Sequence, residues 1–168
     1  MDKIKYICVY DESSFSNEKR SVVLAATNKL DYIFDILNNL RIHIDIISPI
    51  WTYEKKLKIY KRRYSKINEY RTLLLPFTFG CKSFILKAVK YIYTKLWQVF
   101  TLFSKIKKND IVFVYHSLYY VRTLCFLKKL KKFKLIIEIE EIYAHVQHNK
   151  YEKLEMKLFS LADGFIFP

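Results

Sequence analysis

"IKYICVYDESSFSNEKRSVVLAATNKLDYIFDILNNLRIHIDIISP", residues 4–49, decides the fold. Residues 4–10 form a compact run of β-branched and aromatic side chains, which predicts a buried strand. A polar loop follows, "DESSFSNEKRS". Over residues 22–40, Leu30, Ile33, Ile36, Leu37 and Leu40 recur at helical spacing. "HIDIISP" (43–49) is then a second short strand, stopped by Pro49. Strand, helix and strand in such a short span make a βαβ unit, and such a unit implies a parallel pair.

The rest of the chain continues the alternation. "KLKIYKRRYSKINEYRTLLLPFTFG" predicts two short strands, near 57–62 and 70–75. A long helix is expected over 82–107. In it Lys87, Lys90, Thr94, Gln98, Thr101 and Lys105 fall on one stripe, and apolar and aromatic residues fill the remaining arc. That arc is too wide for one interfacial face, so packing against the sheet is the expectation, with a bilayer surface as the alternative. "IVFVYH" (111–116) is a third clear strand and "LYYVRTLCFLKKLKK" (118–132) a helix with basic last turns, which suits the helix dipole. "KLIIEIE" (134–140), "KYEKLEMKLFSLA" (150–162) and "GFIFP" (164–168) add a strand, an amphipathic helix and a last strand. The fold class expected is α/β: a Rossmann-like, mostly parallel sheet with helices on both faces, in one domain over residues 1–168.

Composition narrows the partners. The 168 residues suit one domain with a real core, and 52% are apolar, which excludes a disordered chain. Thirty Lys and Arg against sixteen Asp and Glu leave a net charge of +14, which fits a polyanionic partner: nucleic acid, anionic lipid or a phosphorylated substrate. The run "KKLKIYKRRYSK" (55–66), with Tyr60 and Tyr64, could bind RNA, but a lysine-rich sheet edge is the plainer reading, and nucleic acid is not the expected partner. Cys8, Cys81 and Cys125 are too widely spaced for a zinc site or a disulfide framework, and a reducing cytoplasm fits them. The N-terminal apolar run is too short for a signal peptide, and no uncharged stretch reaches the length of a spanning helix. The expected location is cytoplasmic, with peripheral attachment to the inner face of the membrane as an option.

In open parallel sheets, ligands bind beyond the carboxyl ends of the strands. That rule selects Asp11, Glu12 and the loop to Arg20 after the first strand, then Pro49, Trp51 and Thr52 after the second. His116 and Ser117 follow the third, and Glu140, Glu141, Tyr143 and His145 the fourth. His116 could serve as a general base, or simply close its strand as a hydrogen-bonded histidine. The carboxylates could bind hydroxyls, or pair with nearby lysines, and Glu138 could face polar neighbours. Glu141, His145 and His148 would share a helical face, but one carboxylate and two histidines make a thin metal set, and none is expected. Gly80 and Gly164 are the only glycines, and neither opens a strand-to-helix turn. Without a glycine-rich turn or a Walker-type lysine, the domain is expected to cradle no dinucleotide or ATP, and to need no cofactor.

Four pieces, "AATNK" (25–29), "SPIWT" (48–52), "EIEEIYAHV" (138–146) and "LADGFIFP" (161–168), occur in the order found in a group of bacterial glycosyltransferases. The chain resembles the N-terminal half of GT-B-fold, family-4-like enzymes of surface polysaccharide assembly. The resemblance implies an acceptor-side domain and a nucleotide-sugar donor held by a C-terminal half that is absent here or supplied separately. It implies a saccharide or lipid-linked acceptor. On this reading Arg20, Asn28, Trp51, Thr52, Glu140 and Tyr143 contact the acceptor, with Trp51 as a stacking platform, and His116 and Glu141 stand nearest the chemistry. The alternatives are a non-catalytic basic module that binds anionic membrane or nucleic acid, and an inactive truncated fragment.

Overall fold

The computed structural model describes residues 3–12, 18–22, 24–139 and 152–167. Its elements, in chain order, are β1 (Lys3–Ile7), α1 (Leu24–Asn39), β2 (His43–Ile47), β3 (Ile59–Tyr60), β4 (Arg63–Lys66), β5 (Arg71–Leu75) and β6 (Thr78–Phe79). They continue with α2 (Phe84–Lys105), β7 (Ile111–Tyr115), α3 (Leu118–Lys131), β8 (Lys134–Glu138), α4 (Glu152–Phe159) and β9 (Gly164–Ile166). Seven strands form one sheet in the order β4-β5-β2-β1-β7-β8-β9. Every neighbouring pair is parallel except β4 with β5. This is a Rossmann-like sheet with an antiparallel edge, and the order reverses between β1 and β7.

The expected strand at 4–10 stops at Ile7 as a ladder, though Cys8 N–H still donates to the Ile47 carbonyl at 3.3 Å. The middle of the chain holds four short strands rather than two. β3 and β6 pair antiparallel in a ribbon of their own, and β4 closes the sheet edge against β5. Strands of two to four residues are too short to show a period in sequence. The basic run 55–66 includes β4, so the lysine-rich edge is what the structure shows.

Register places two cores on opposite faces. Ile7, Ile47, Leu74, Val112, Val114, Leu135 and Ile137 point to one face and meet α2, α3 and α4 through Leu102, Leu124 and Leu158. Tyr6, Cys8, Ile44, Ile46, Leu73 and Leu75 point to the other, where α1 covers them with Leu30 and Phe34. The α1 stripe is rotated from the expected one: Ala26, Leu30 and Phe34 are buried, while Ile36 and Leu40 are exposed. Phe34 stacks edge-on against Tyr6 and Tyr10, at 5.0 and 5.2 Å between centroids, and that contact sets the helix rotation. Glu138 faces this second core. It is 1% exposed, accepts a hydrogen bond from the Tyr6 hydroxyl and pairs with Lys29 at 2.8 Å. It is thus a buried, paired acid rather than a solvated strand-end carboxylate.

The expectation for α2 is reversed. Its polar stripe, Lys90, Thr94, Gln98 and Thr101, is buried together with Trp97 and Leu102, and its apolar arc faces outward. Lys90 and Thr94 find partners in the interior, while Gln98 Nε2 and Trp97 Nε1 are buried without one among the described residues. Lys90 Nζ donates to the carbonyls of Thr52 at 2.8 Å and Phe79 at 3.1 Å, and Thr94 Oγ1 donates to the Lys90 carbonyl at 2.9 Å. Burial outweighs the nearby Cys81 and pulls the Lys90 amine below its ordinary pKa.

Gly80 sits where the 54–58 segment crosses β6, and a Cβ there would meet the Lys56 carbonyl at 2.0 Å. Gly80→Ala is therefore expected to destabilise the fold by about 1–3 kcal/mol, read by urea unfolding. On the opposite side of the sheet from Glu138, Asp45 accepts from Lys5 at 2.5 Å and Thr72 at 2.6 Å, and pairs with Lys3 at 2.9 Å. Burial alone would raise its pKa, but these three partners outweigh it and hold the carboxyl below the usual range. A carboxylate with a depressed folded pKa stabilises above its unfolded pKa, about 3.9 for aspartate, and the contribution is lost as pH falls through the folded value. Asp45→Asn should cost about 1–3 kcal/mol at neutral pH and should flatten the acid limb of the stability curve below about pH 4.

Candidate functional site

Two crevices open at the carboxyl edge of the sheet. The first has a volume of about 200 Å³ and is lined by Val9, Ser21, Pro49, Ile50, Trp51, Ser117, Tyr119 and Tyr120. These residues come from the ends of β1 and β2, the Arg20 loop, and the N-terminus of α3 after β7. The pocket therefore lies at the point where strand order reverses, where the crevice rule puts a ligand. It is smaller than the roughly 300–1,000 Å³ that encloses a drug-sized molecule, so it suits one ring-sized moiety.

Its walls are aromatic. Trp51, Tyr91 and Tyr119 meet edge-on, with centroids 5.9 to 6.2 Å apart. Lys95 from α2 lies 4.0 Å from the centre of the Tyr119 ring and donates to its carbonyl, which ties the pocket wall to α2. Burial, and then the Arg122 charge, lower the Lys95 pKa. The Tyr119 hydroxyl is buried and makes no hydrogen bond among the described residues. Burial, and then Tyr91, push its pKa well above that of a free tyrosine, so at neutral pH it remains a neutral group that can donate or accept. Ser117 caps α3, its Oγ accepting from Tyr119 N–H at 3.3 Å.

The second crevice, about 260 Å³, lies beside it between the Arg20 loop and the start of α1, and is lined by Asp11, Glu12, Lys19, Arg20, Thr27 and Tyr53 among others. It is charged, and its charges satisfy one another. Arg20 Nε donates to Glu18 at 2.6 Å and lies 3.9 Å from Asp11. Arg63 reaches Asp11 and stands 3.3 Å from Glu18. Burial raises the Asp11 pKa in spite of Arg63 and Arg20.

The residues singled out in sequence separate in space. Trp51 lines the pocket. Arg20 and Thr52 form a buried clasp behind it. Arg20 donates to the carbonyls of Ile50 and Pro76, both at 3.1 Å, and pairs with Thr52 in an isolated bridge. Thr52 is fully buried, its hydroxyl donating to the Glu18 carbonyl at 2.8 Å and accepting from Glu54 N–H at 3.1 Å. Thr52 has no free group to offer the pocket, whereas Arg20 keeps a buried Nη2 without a hydrogen-bond partner among the described residues. Asn28 is exposed on α1 and does not line the pocket. His116 is 2% exposed and turns away from the pocket toward α4, with Nε2 3.2 Å from Glu155 and its ring 5.2 Å from Phe159. Glu140, Glu141 and Tyr143, with His145 and His148, lie outside the described residues. Among the described residues no cluster of ligating side chains could hold a metal. Tyr91 and Tyr119 were not found in sequence. The one available signal was Tyr119 in the first turn of a helix that follows a switch-point strand.

No protein-family model and no curated protein matches this sequence. Solved structures do. The fold is similar to an alpha,alpha-trehalose-phosphate synthase (UDP-forming) from Burkholderia vietnamiensis, with a TM-score of 0.59 and 9% identity over 98% of this chain. It is also similar to an E. coli trehalose-6-phosphate structure bound with UDP-2-fluoro glucose (TM-score 0.57, 10% identity) and to an alpha,alpha-trehalose 6-phosphate synthase from Burkholderia multivorans (0.56, 10%). At these identities the likeness is one of fold. The chain has a Rossmann-like fold of the GT-B glycosyltransferase type. It spans 39% of the length of each of these three structures.

The clasp and the pocket separate cleanly by mutation. Thr52→Val should cost about 1–3 kcal/mol, because it strands buried partners. Tyr119→Phe removes a hydroxyl that bonds to nothing described, and should leave stability within about 0.5 kcal/mol of wild type, both measured by urea unfolding.

Proposed function

We propose that this chain is the acceptor-side domain of a family-4-like glycosyltransferase, which transfers a sugar from a nucleotide-sugar donor to a saccharide or lipid-linked acceptor in surface polysaccharide assembly. The observation that carries the proposal is the aromatic, hydroxyl-edged pocket at the switch point of a GT-B-type sheet. The loop after β1 has no glycine with which to approach a diphosphate, so the donor would be held by a second domain facing this edge.

In this reading Trp51 stacks on a sugar ring of the acceptor, and Tyr119, Ser117 and Ser21 hydrogen-bond its hydroxyls. The Arg20–Thr52 clasp holds the Trp51 loop at the correct height. On this reading Glu140 and Tyr143, which follow β8 in sequence, contact the acceptor, and Glu141 activates the attacking hydroxyl. His116 joins them if Glu155 releases it when acceptor binds. In the reaction an acceptor oxygen bonds to the anomeric carbon, the bond from that carbon to the nucleoside diphosphate breaks, and the acceptor proton leaves to a base. Charge develops as an oxocarbenium-like centre and a departing diphosphate, and stabilising that charge is where such an enzyme gains most of its rate.

Binding can be tested on the chain itself. Trp51 and Trp97 are the only tryptophans. Saccharides and sugar phosphates should quench emission in wild type and in Trp97→Phe, but not in Trp51→Phe. A full panel that perturbs neither tryptophan, or a nucleotide sugar that binds this pocket in preference to any acceptor, would overturn the assignment.

A further inference from the structure

The helix α2 carries a feature that the sugar pocket does not use. Opposite its buried stripe, Ile85, Ile92, Leu96 and Phe103 form an outward ridge, 73, 56, 53 and 46% exposed, with Phe84 at 85% and Phe100 at 69% on its margins. Residues 82–89 are exposed on every side, so the first turns of the helix stand clear of the globule. Folded chains seldom leave a contiguous apolar surface of this kind open to water without a partner for it.

Charge identifies the partner. Between Glu69 and Asp110 the sequence has no acid, and Lys82, Lys87, Lys105, Lys107 and Lys108 are exposed on or beside α2. The two segments that border α2 are acid-free as well. Residues 55–66 supply Arg62, which lines a crevice with Tyr93, Leu96 and Phe100. From α3, Lys131 donates to the Ile106 carbonyl at 2.7 Å and lies 4.3 Å from the centre of the Phe103 ring. An apolar ridge on a convex helix, rimmed by cations and tyrosines, matches a surface that offers hydrocarbon depth and negative charge together. No helix among the described residues is long and apolar enough to cross a membrane, so the ridge would lie on a bilayer and not span it.

We propose that α2 docks this protein onto the surface of an anionic lipid bilayer, with Ile85, Ile92, Leu96 and Phe103 sunk below the head groups and the surrounding Lys and Arg paired with them. The docking does not depend on glycosyl transfer. If both readings hold, Tyr91, which joins α2 to Trp51 and Tyr119, brings the sugar pocket to the level of the head groups, where a lipid-linked acceptor presents its sugar.

Flotation of the full chain with phosphatidylcholine vesicles, with and without about one-third phosphatidylglycerol, tests this. Wild type should float with the anionic vesicles and bind pure phosphatidylcholine about tenfold more weakly. The double variant Ile92→Asp, Leu96→Asp replaces exposed side chains, so it should keep the wild-type circular dichroism and Tm while losing about tenfold or more in anionic-vesicle binding. A Phe100→Trp variant should show extra quenching by brominated lipid over the wild-type background. Vesicle binding that survives Ile92→Asp, Leu96→Asp would overturn the proposal. So would a soluble dimer that the same substitutions dissociate, in a protein that binds no vesicle.

Discussion

The structure depends on the burial of β1 on both faces and both edges. It pairs in parallel with β2 on one side and β7 on the other. Tyr6 and Cys8 point into the core beneath α1, and Ile7 points into the core beneath α2 and α3, all without exposure. A strand so enclosed gains roughly 1.5–3 kcal/mol for each large apolar side chain it buries, and it has no free edge along which to slip register. Its position also brings the ends of β1, β2 and β7 to one edge of the sheet. The pocket of Trp51 and Tyr119 is the gap left at that edge, where α1 departs to one face and α3 to the other.

Holding that gap open falls to polar contacts from distant parts of the chain. Arg20 and Thr52 bridge the loops after β1 and β2, and Lys90 of α2 reaches the same Thr52 carbonyl. Each of these groups is buried and each is paired, so the desolvation cost is offset by hydrogen bonds that work only in this arrangement. The pocket rim and α2 are therefore one mechanical unit. This explains why α2 turns its polar stripe inward. The surface it packs on presents the backbone carbonyls of Thr52 and Phe79, and Lys90 answers those as leucine could not.

Much of the fold was legible in the residues. Strand-length apolar runs and the 3.6-residue spacing gave nearly every long element to within a few residues, and their alternation gave the parallel sheet. Between β2 and α2, the strand expected near 70–75 is β5, but the division of the rest into β3, β4 and β6 was not legible, because ladders of two to four residues leave no periodic trace. The site was legible in part. The crevice rule selected Trp51 and Ser117 correctly as neighbours. It could not show that Arg20 and Thr52 turn inward, that His116 meets Glu155, or that Tyr119 completes the wall.

The sequence alone determined the order of elements, the absence of a glycine cradle and the excess of positive charge, because these depend only on neighbouring residues and on counting. The tertiary structure decided which polar groups are inside. Glu138 finds Tyr6 across 132 positions of chain, and Lys90 finds Thr52 across 38. A buried charge is tolerable only when such a partner arrives, and local sequence carries no record of that arrival. The same holds for the orientation of α2. An amphipathic pattern states that a helix has two unlike faces, and only the surface it packs against settles which one meets water.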